Sequence, residues 1–338
     1  MSGEEEPWFL LTKNAFPYVD GRLEVINEQQ RLLDYLFADL GVNTQKLDLE
    51  RLIQQWQRRI LIQFPRIPSV RYDGIPNLIG ELFRGSIDYT EQTRTFLKRL
   101  LGKKAGYYDL LHDESIPFNG DVIIEQPPFI IPSQTRALRD SDYADKVFLF
   151  KSPQSSYRIS VWERLFPNAD IRYIHLTRGF AQTVNSLMDG WQYPAGFFSY
   201  DLSLKNTRLN IKGYDNARWW KFDIPPNWRE TIGLPLEQVC LNQWFQANDH
   251  TLEGTRQRLT IKFEDFLENP DKVLRKITTY VELPPILLDG LPQIMTTSKP
   301  EYYRWNKRRD LLLAMKNNPK VIEIMHRLDY PMNPLKWI

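Results

Sequence analysis

Residues 147–191 read VFLFKSPQSSYRISVWERLFPNADIRYIHLTRGFAQTVNSLMDGW. Val147–Phe150 is a short apolar run of β-formers, long enough for a buried strand. Lys151-Ser-Pro-Gln-Ser-Ser breaks it with turn chemistry. From Ser155 to Phe166 the apolar residues Ile159, Trp162, Leu165 and Phe166 fall at helical spacing, and Pro167-Asn-Ala-Asp ends the run. Ile171–Leu176 reads as a second strand. Thr177-Arg178-Gly179 then turns the chain into a helix carrying Val184, Leu187 and Met188. Strand–helix–strand of this length is a βαβ unit, which implies an α/β chain with a parallel sheet flanked by helices on both faces.

Both loops fall at the C-terminal ends of strands, where ligands sit in open α/β sheets. Each places a cation and hydroxyls just ahead of a helix. The free N–H groups and partial positive charge of a helix N-terminus make such a loop a ready anion site. Arg178 can contact a phosphate through two N–H groups. Ser186, eight residues on, lies two turns into the helix, within reach of the same anion. Two anion sites at neighbouring strand ends suit a nucleotide with phosphates at both ends.

The stretch resembles the sulfotransferases that use 3′-phosphoadenosine 5′-phosphosulfate (PAPS). Their 3′-phosphate site is a strand ending in Arg, followed eight residues later by a Ser on the next helix. IHLTRGFAQTVNSL supplies Arg178 and Ser186 at those positions. The Lys-x-Pro strand end and the later Phe-Pro-Asn-Ala are similar to the tyrosylprotein sulfotransferases and their bacterial small-molecule relatives, whose Lys contacts the transferring sulfuryl region. The matching residue is Lys151. IKFEDFLENPDKVLRKITTYVEL (261–283) resembles the family's strand, Glu-Asp-Leu, Asn-Pro and helix segment, with Phe263 where many relatives carry Tyr. The resemblance implies the P-loop-kinase-like sulfotransferase fold, transfer of a sulfuryl group from PAPS to a hydroxyl or amine, PAP as product, and no metal.

Outward from this core, the 338 residues read as one sulfotransferase domain, with a mainly helical part over 1–115 and a nucleotide-binding α/β core over 120–310. A formal net charge of +2 argues against nucleic-acid binding through a broad basic field. The single cysteine, Cys240, excludes an intramolecular disulfide framework and a multi-Cys metal site, and reads as a small buried hydrophobe. The acidic N-terminus lacks the order of a signal peptide, and no run approaches the roughly 18 apolar residues of a membrane span. The expectation is a soluble, cytoplasmic protein with no membrane partner.

Amphipathic spacing predicts helices over 26–40 and 49–64, and further helices over 77–84 and 89–101. The family's 5′-phosphosulfate loop, Pro-Arg-Ser-Gly-Thr-Thr, follows the first strand and cradles the phosphate with backbone N–H groups. That string does not occur here. Four stretches offer partial substitutes. ILIQFPRIPS (60–69) carries Pro65-Arg66, GKKAGYY (102–108) a Gly and a basic pair, and PSQTRAL (132–138) hydroxyls and Arg136. KSPQSSYR itself carries Ser152, Ser155, Ser156 and Arg158. The absence leaves an alternative function, a non-catalytic PAP-binding protein.

Sulfuryl transfer needs a base for the acceptor proton and a cation near the bridging oxygen. Asp121–Gln126 is a short strand ending near Glu125, whose setting, IEQPPFIIP, loosely resembles the family's catalytic Glu segment. Glu125 is the first candidate base and His112, in the polar LLHDES, the second. His175 lies inside a strand and reads as a satisfied core histidine. His250 and His326 fall on predicted helices.

Residues 192–235 form an aromatic-rich insertion. Its rings, with Trp191 and the tandem Trp219-Trp220, read either as the acceptor wall, over 191–228, or as an insertion packed by its own aromatics. The first reading makes a small molecule the acceptor. Helices are predicted over 236–253 and, after Asn269-Pro270, over 271–281, with a strand over 259–263. TTSKPEYYRWNKRRD (296–310) resembles the family's C-terminal cofactor-closing segment. Ser298 and Arg304 are the matching positions, Lys299 a neighbour, and a solvated basic run the plain alternative.

Overall fold

The computed structural model describes residues 2–3, 77, 147–151, 153–193, 199–202, 207–255, 257–286 and 301–337. The helices expected over 26–40, 49–64 and 89–101 and the strand over 121–126 lie outside the described residues. Of the helix expected over 77–84 only Asn77 is described, and it is helical. The chain divides into two compact units, Met1–Ser152 with Pro194–Tyr200, and Pro153–Tyr193 with Asp201–Ile338.

In the first unit Ser2–Gly3 (β1) pairs in parallel with Leu149–Phe150 (β2). The strand expected over Val147–Phe150 is thus shorter than its apolar run. It is also not buried, since Leu149 is 53 % exposed.

The second unit is α/β. Tyr173–Thr177 (β3) pairs in parallel with Arg258–Lys262 (β5), in a register running from Tyr173 opposite Arg258 to Thr177 opposite Lys262. His175 and Thr177 face inward. Leu176 points to the opposite face and is 59 % exposed, so the two faces of this sheet are not equally covered. Trp219–Lys221 (β4) lies between them in sequence and belongs to the aromatic insertion.

The long helix predicted over Ser155–Phe166 is two pieces, a 3-10 turn over Pro153–Tyr157 and a helix, α1, over Ile159–Leu165. Arg158, at φ −127° and ψ 24°, breaks the run between them. Phe180–Trp191 (α2) follows β3 and buries Phe180, Ala181, Val184 and Met188. Leu236–Gly254 (α3) matches its predicted span and buries Val239, Cys240 and Trp244. Its last residue packs close on α1, because a Cβ on Gly254 would stand 2.7 Å from Ile159 Cδ1. Phe263–Glu268 (α4) leads to Pro270–Tyr280 (α5). There Asn269 caps the helix by accepting the Lys272 N–H, and Pro270 occupies the first turn, where a missing N–H costs nothing. Arg309–Met315 (α6) and Pro319–Arg327 (α7) complete the unit. Among the described residues no helix is long and apolar enough to cross a membrane.

The tryptophans hold this unit together. Trp191, at the end of α2, meets Trp220 edge-on at 5.2 Å and Tyr214 at 4.8 Å, and Trp220 meets Trp228 at 6.0 Å. Such pairs add about 0.5–1.5 kcal/mol each beyond their buried area. Gln243 on α3 satisfies three of the polar groups that this packing encloses, while the Trp219 indole nitrogen stays without a hydrogen-bond partner. Its amide accepts the Trp191 indole N–H and donates to the Lys221 and Asp223 carbonyls. A second aromatic group joins Phe180 to Trp244 and Trp337, and Trp337 to Trp305. Trp219, Trp220 and Trp228 are all buried.

Trp220→Ala should remove about 3–5 kcal/mol of stability, the usual cost of truncating a fully buried Trp. Urea unfolding checks this. An unchanged midpoint would show that the Trp191–Trp220–Trp228 packing is not the core of this unit.

Candidate functional site

The register of the parallel pair builds the site. Thr177 and Lys262 are the last partners of β3 and β5, so the next residues of each chain emerge side by side. Arg178 places its guanidinium over the Phe263 ring, 5.0 Å from the centroid. One residue further, the Gly179 N–H donates to Glu264 Oε1 at 3.0 Å. The Tyr330 hydroxyl donates to the other carboxylate oxygen, Glu264 Oε2, at 2.9 Å, and lies 3.2 Å from Thr177 Oγ1.

Arg178 is held at both ends. Its carbonyl accepts the Trp244 indole N–H at 3.1 Å, and its Nη1 donates to Ser186 Oγ at 3.1 Å, two turns along α2. The spacing read from the sequence therefore brings these two side chains together. Burial lowers the pKa of Arg178, Glu264 raises it in part, and Arg304 lowers it further. The guanidinium stays charged, as arginine does in proteins. It is a cation whose desolvation its neighbours do not fully offset, and such a group gains from an incoming anion.

Arg304 comes to the same helix. Its Nη2 donates to Asp189 Oδ2 at 3.1 Å, and Lys307 Nζ and Arg308 Nη2 lie 2.8 Å from Asp189 Oδ1. The basic run over 304–308 is therefore docked on α2, not solvated throughout. Burial pushes the Asp189 carboxyl up, but hydrogen bonds from Lys307 and Arg308 outweigh it and hold it below the usual carboxylate range.

The other predicted residues divide by position. Lys151 is exposed, directly after β2 in the first unit. Ser155 is half-buried in the 3-10 turn, where its carbonyl accepts the Arg158 N–H. Glu125, His112, Ser152, Ser298 and Lys299 lie outside the described residues, as do the stretches 60–69, 102–108 and 132–138. His250 and His326 sit on α3 and α7. Cys240 is fully buried, and burial raises its thiol well above the ordinary value.

The N–H of Gly179, the residue before α2, donates to the chain's own Glu264 carboxylate. An anion at Arg178 would meet the Arg178 guanidinium and the Ser186 hydroxyl, with Arg304 near enough for its charge to be felt. That donor set fits a phosphate. Sequence reasoning missed Asp189 and Tyr330. Asp189 follows Ser186 by three residues and so shares its helical face, a signal that was there to use. Tyr330 lies 153 residues from Thr177, and no local pattern announces it.

No protein-family model, no curated protein and no solved structure matches the chain.

His175 is a core histidine of β3, satisfied at one ring nitrogen only: Nδ1 is buried without a hydrogen-bond partner. It is buried, and its Nε2 donates to Asn248 Oδ1 at 3.1 Å. Burial and then the Arg258 charge lower its pKa from 6.5 to about 4, against a smaller upward pull from the Asn248 bond. The unfolded chain therefore takes up a proton below pH 6.5 that the folded chain refuses. Stability is fully present above pH 6.5 and should fall by on the order of 3 kcal/mol as the pH drops to about 4. Urea midpoints measured across that window, for wild type and His175→Gln, isolate the effect. Parallel pH profiles for the two proteins would rule it out.

Proposed function

We propose that the protein is a PAPS-dependent sulfotransferase acting on a hydroxyl or amine of a small-molecule acceptor. The single observation that carries this reading is the Arg178–Ser186 hydrogen bond at the exit of a parallel strand. An Arg at a strand end joined to a Ser eight residues later on the following helix is the arrangement that the sequence resemblance implies for a 3′-phosphate. Supporting it are the depressed pKa of Arg178, which favours an anionic partner, and the docking of Arg304 on the same helix.

Bound PAPS would supply the sulfuryl group, with its sulfur–oxygen bond to the 5′-phosphate as the bond broken. Arg178, Ser186 and Arg304 would hold the 3′-phosphate, which keeps its charge throughout the reaction and so serves as a handle. Lys151 would meet the negative charge that grows on the leaving phosphate, the task for which a cation is worth most. Glu125, or failing it His112, would take the acceptor proton. A second reading rests on the missing Gly-rich string: a protein that binds PAP and transfers nothing.

Calorimetric titration with PAP, and with adenosine 5′-phosphate as the control lacking the 3′-phosphate, tests the nucleotide site. PAP should bind clearly tighter, and Arg178→Ala should weaken PAP at least ~30-fold while leaving adenosine 5′-phosphate little changed. Equal affinity for the two nucleotides would sink the assignment.

With an acceptor in hand, Lys151→Ala should lower kcat by about 10²-fold or more with PAP affinity retained, the loss expected from removing a charge-stabilising donor. PAP binding without turnover on any acceptor favours the binding protein. Wild-type turnover in the variant would remove Lys151 from the mechanism.

A further inference from the structure

The face of α2 that carries Ser186 continues one turn on to Asp189, with Asn185 beside them. The Asp189 side chain is only 9 % exposed. Its two oxygens gather three cations from one short segment, Arg304 at 3.1 Å and Lys307 and Arg308 at 2.8 Å. Arg308 is fixed further by donating to Asn185 Oδ1 at 2.6 Å and Gln192 Oε1 at 3.2 Å. Between these cations Trp305 is buried, edge-on to Trp337, with its indole N–H on the Trp337 carbonyl. The segment is thus seated by packing on one side and by one carboxylate on the other.

We propose that Asp189 is a positioning residue for the anion site: by drawing Arg304, Lys307 and Arg308 onto α2 it sets the Arg304 guanidinium alongside the Arg178–Ser186 pair, so that a phosphate meets two guanidiniums already in place. This rests on the anion site proposed above. The physical case is one of preorganisation. Three cations gathered in the last turn of α2, with the Arg178 guanidinium one turn away on Ser186, repel one another, and the Asp189 carboxylate among them offsets that repulsion and fixes their geometry before the ligand arrives. Arg304 already bears on Arg178, since its charge is among the causes of the lowered Arg178 pKa.

The plain alternative is that Asp189 only anchors the C-terminal segment. A double-mutant cycle on the full chain separates the two. PAP, and inorganic phosphate as the simplest probe, are titrated into wild type, Asp189→Asn, Arg304→Gln and the double variant, with thermal unfolding recorded for each. Each single substitution should raise the PAP dissociation constant about tenfold or more. The double variant should lie within ~3-fold of Arg304→Gln, because Asp189 acts through Arg304. Unchanged PAP affinity in Asp189→Asn overturns the proposal whatever happens to the unfolding temperature, and so do effects that simply multiply. Wild-type affinity in Arg304→Gln overturns it as well, even if Asp189→Asn does not fold. Wild type that binds phosphate but not PAP dismisses the nucleotide reading alone, and the same cycle is then read on phosphate. Wild type that binds neither takes both down.

Discussion

The parallel pairing of β3 with β5 is the constraint on which the site depends. Because Thr177 stands opposite Lys262, the chains leave the sheet in step. Arg178 then lands on Phe263, and Gly179 on Glu264. A slip of one residue would take Arg178 off Phe263 and Gly179 off Glu264. The Trp244 indole N–H on the Arg178 carbonyl locks the same point from α3, so strand, helix and second strand converge on one peptide.

Charge is distributed along α2 in a consistent way. The N–H of Gly179, just before its first turn, holds Glu264, the favourable place for a carboxylate. Asp189, in the last turn, is where a lone carboxylate is disfavoured by the dipole, and three basic side chains surround it there. The two acids therefore do different things. Glu264 quiets a helix end, and Asp189 recruits cations to a helix face.

The aromatic insertion contributes by packing. Trp220 and Trp228 are fully buried, and Gln243 on α3 bonds the Trp191 indole of α2 and the Lys221 and Asp223 carbonyls, so α2 and α3 keep a fixed relation. Rigid supports of this kind are what allow an arginine and a serine two turns apart to present one geometry to a ligand.

Much of this unit could be read from the sequence. The period of apolar residues marked β3, α2, α3 and β5 to within a residue or two, and Asn269-Pro270 marked the start of α5, because each rests on local chemistry. The Arg178–Ser186 pair was legible for the same reason, since Ser186 lies two turns along the helix that follows Arg178, within reach of its long side chain. What the sequence could not say was which surface each aromatic and each charge would meet. The break at Arg158 is a backbone event inside an otherwise helical pattern. Burial of Trp219 and Trp220, occupation of the α2 N-terminus by Glu264, and the gathering of Arg304, Lys307 and Arg308 on Asp189 all join residues far apart in the chain. Local periodicity is set by a helix or strand alone. Partners across 85 or 115 residues are decided only when the sheet register and helix packing put them side by side.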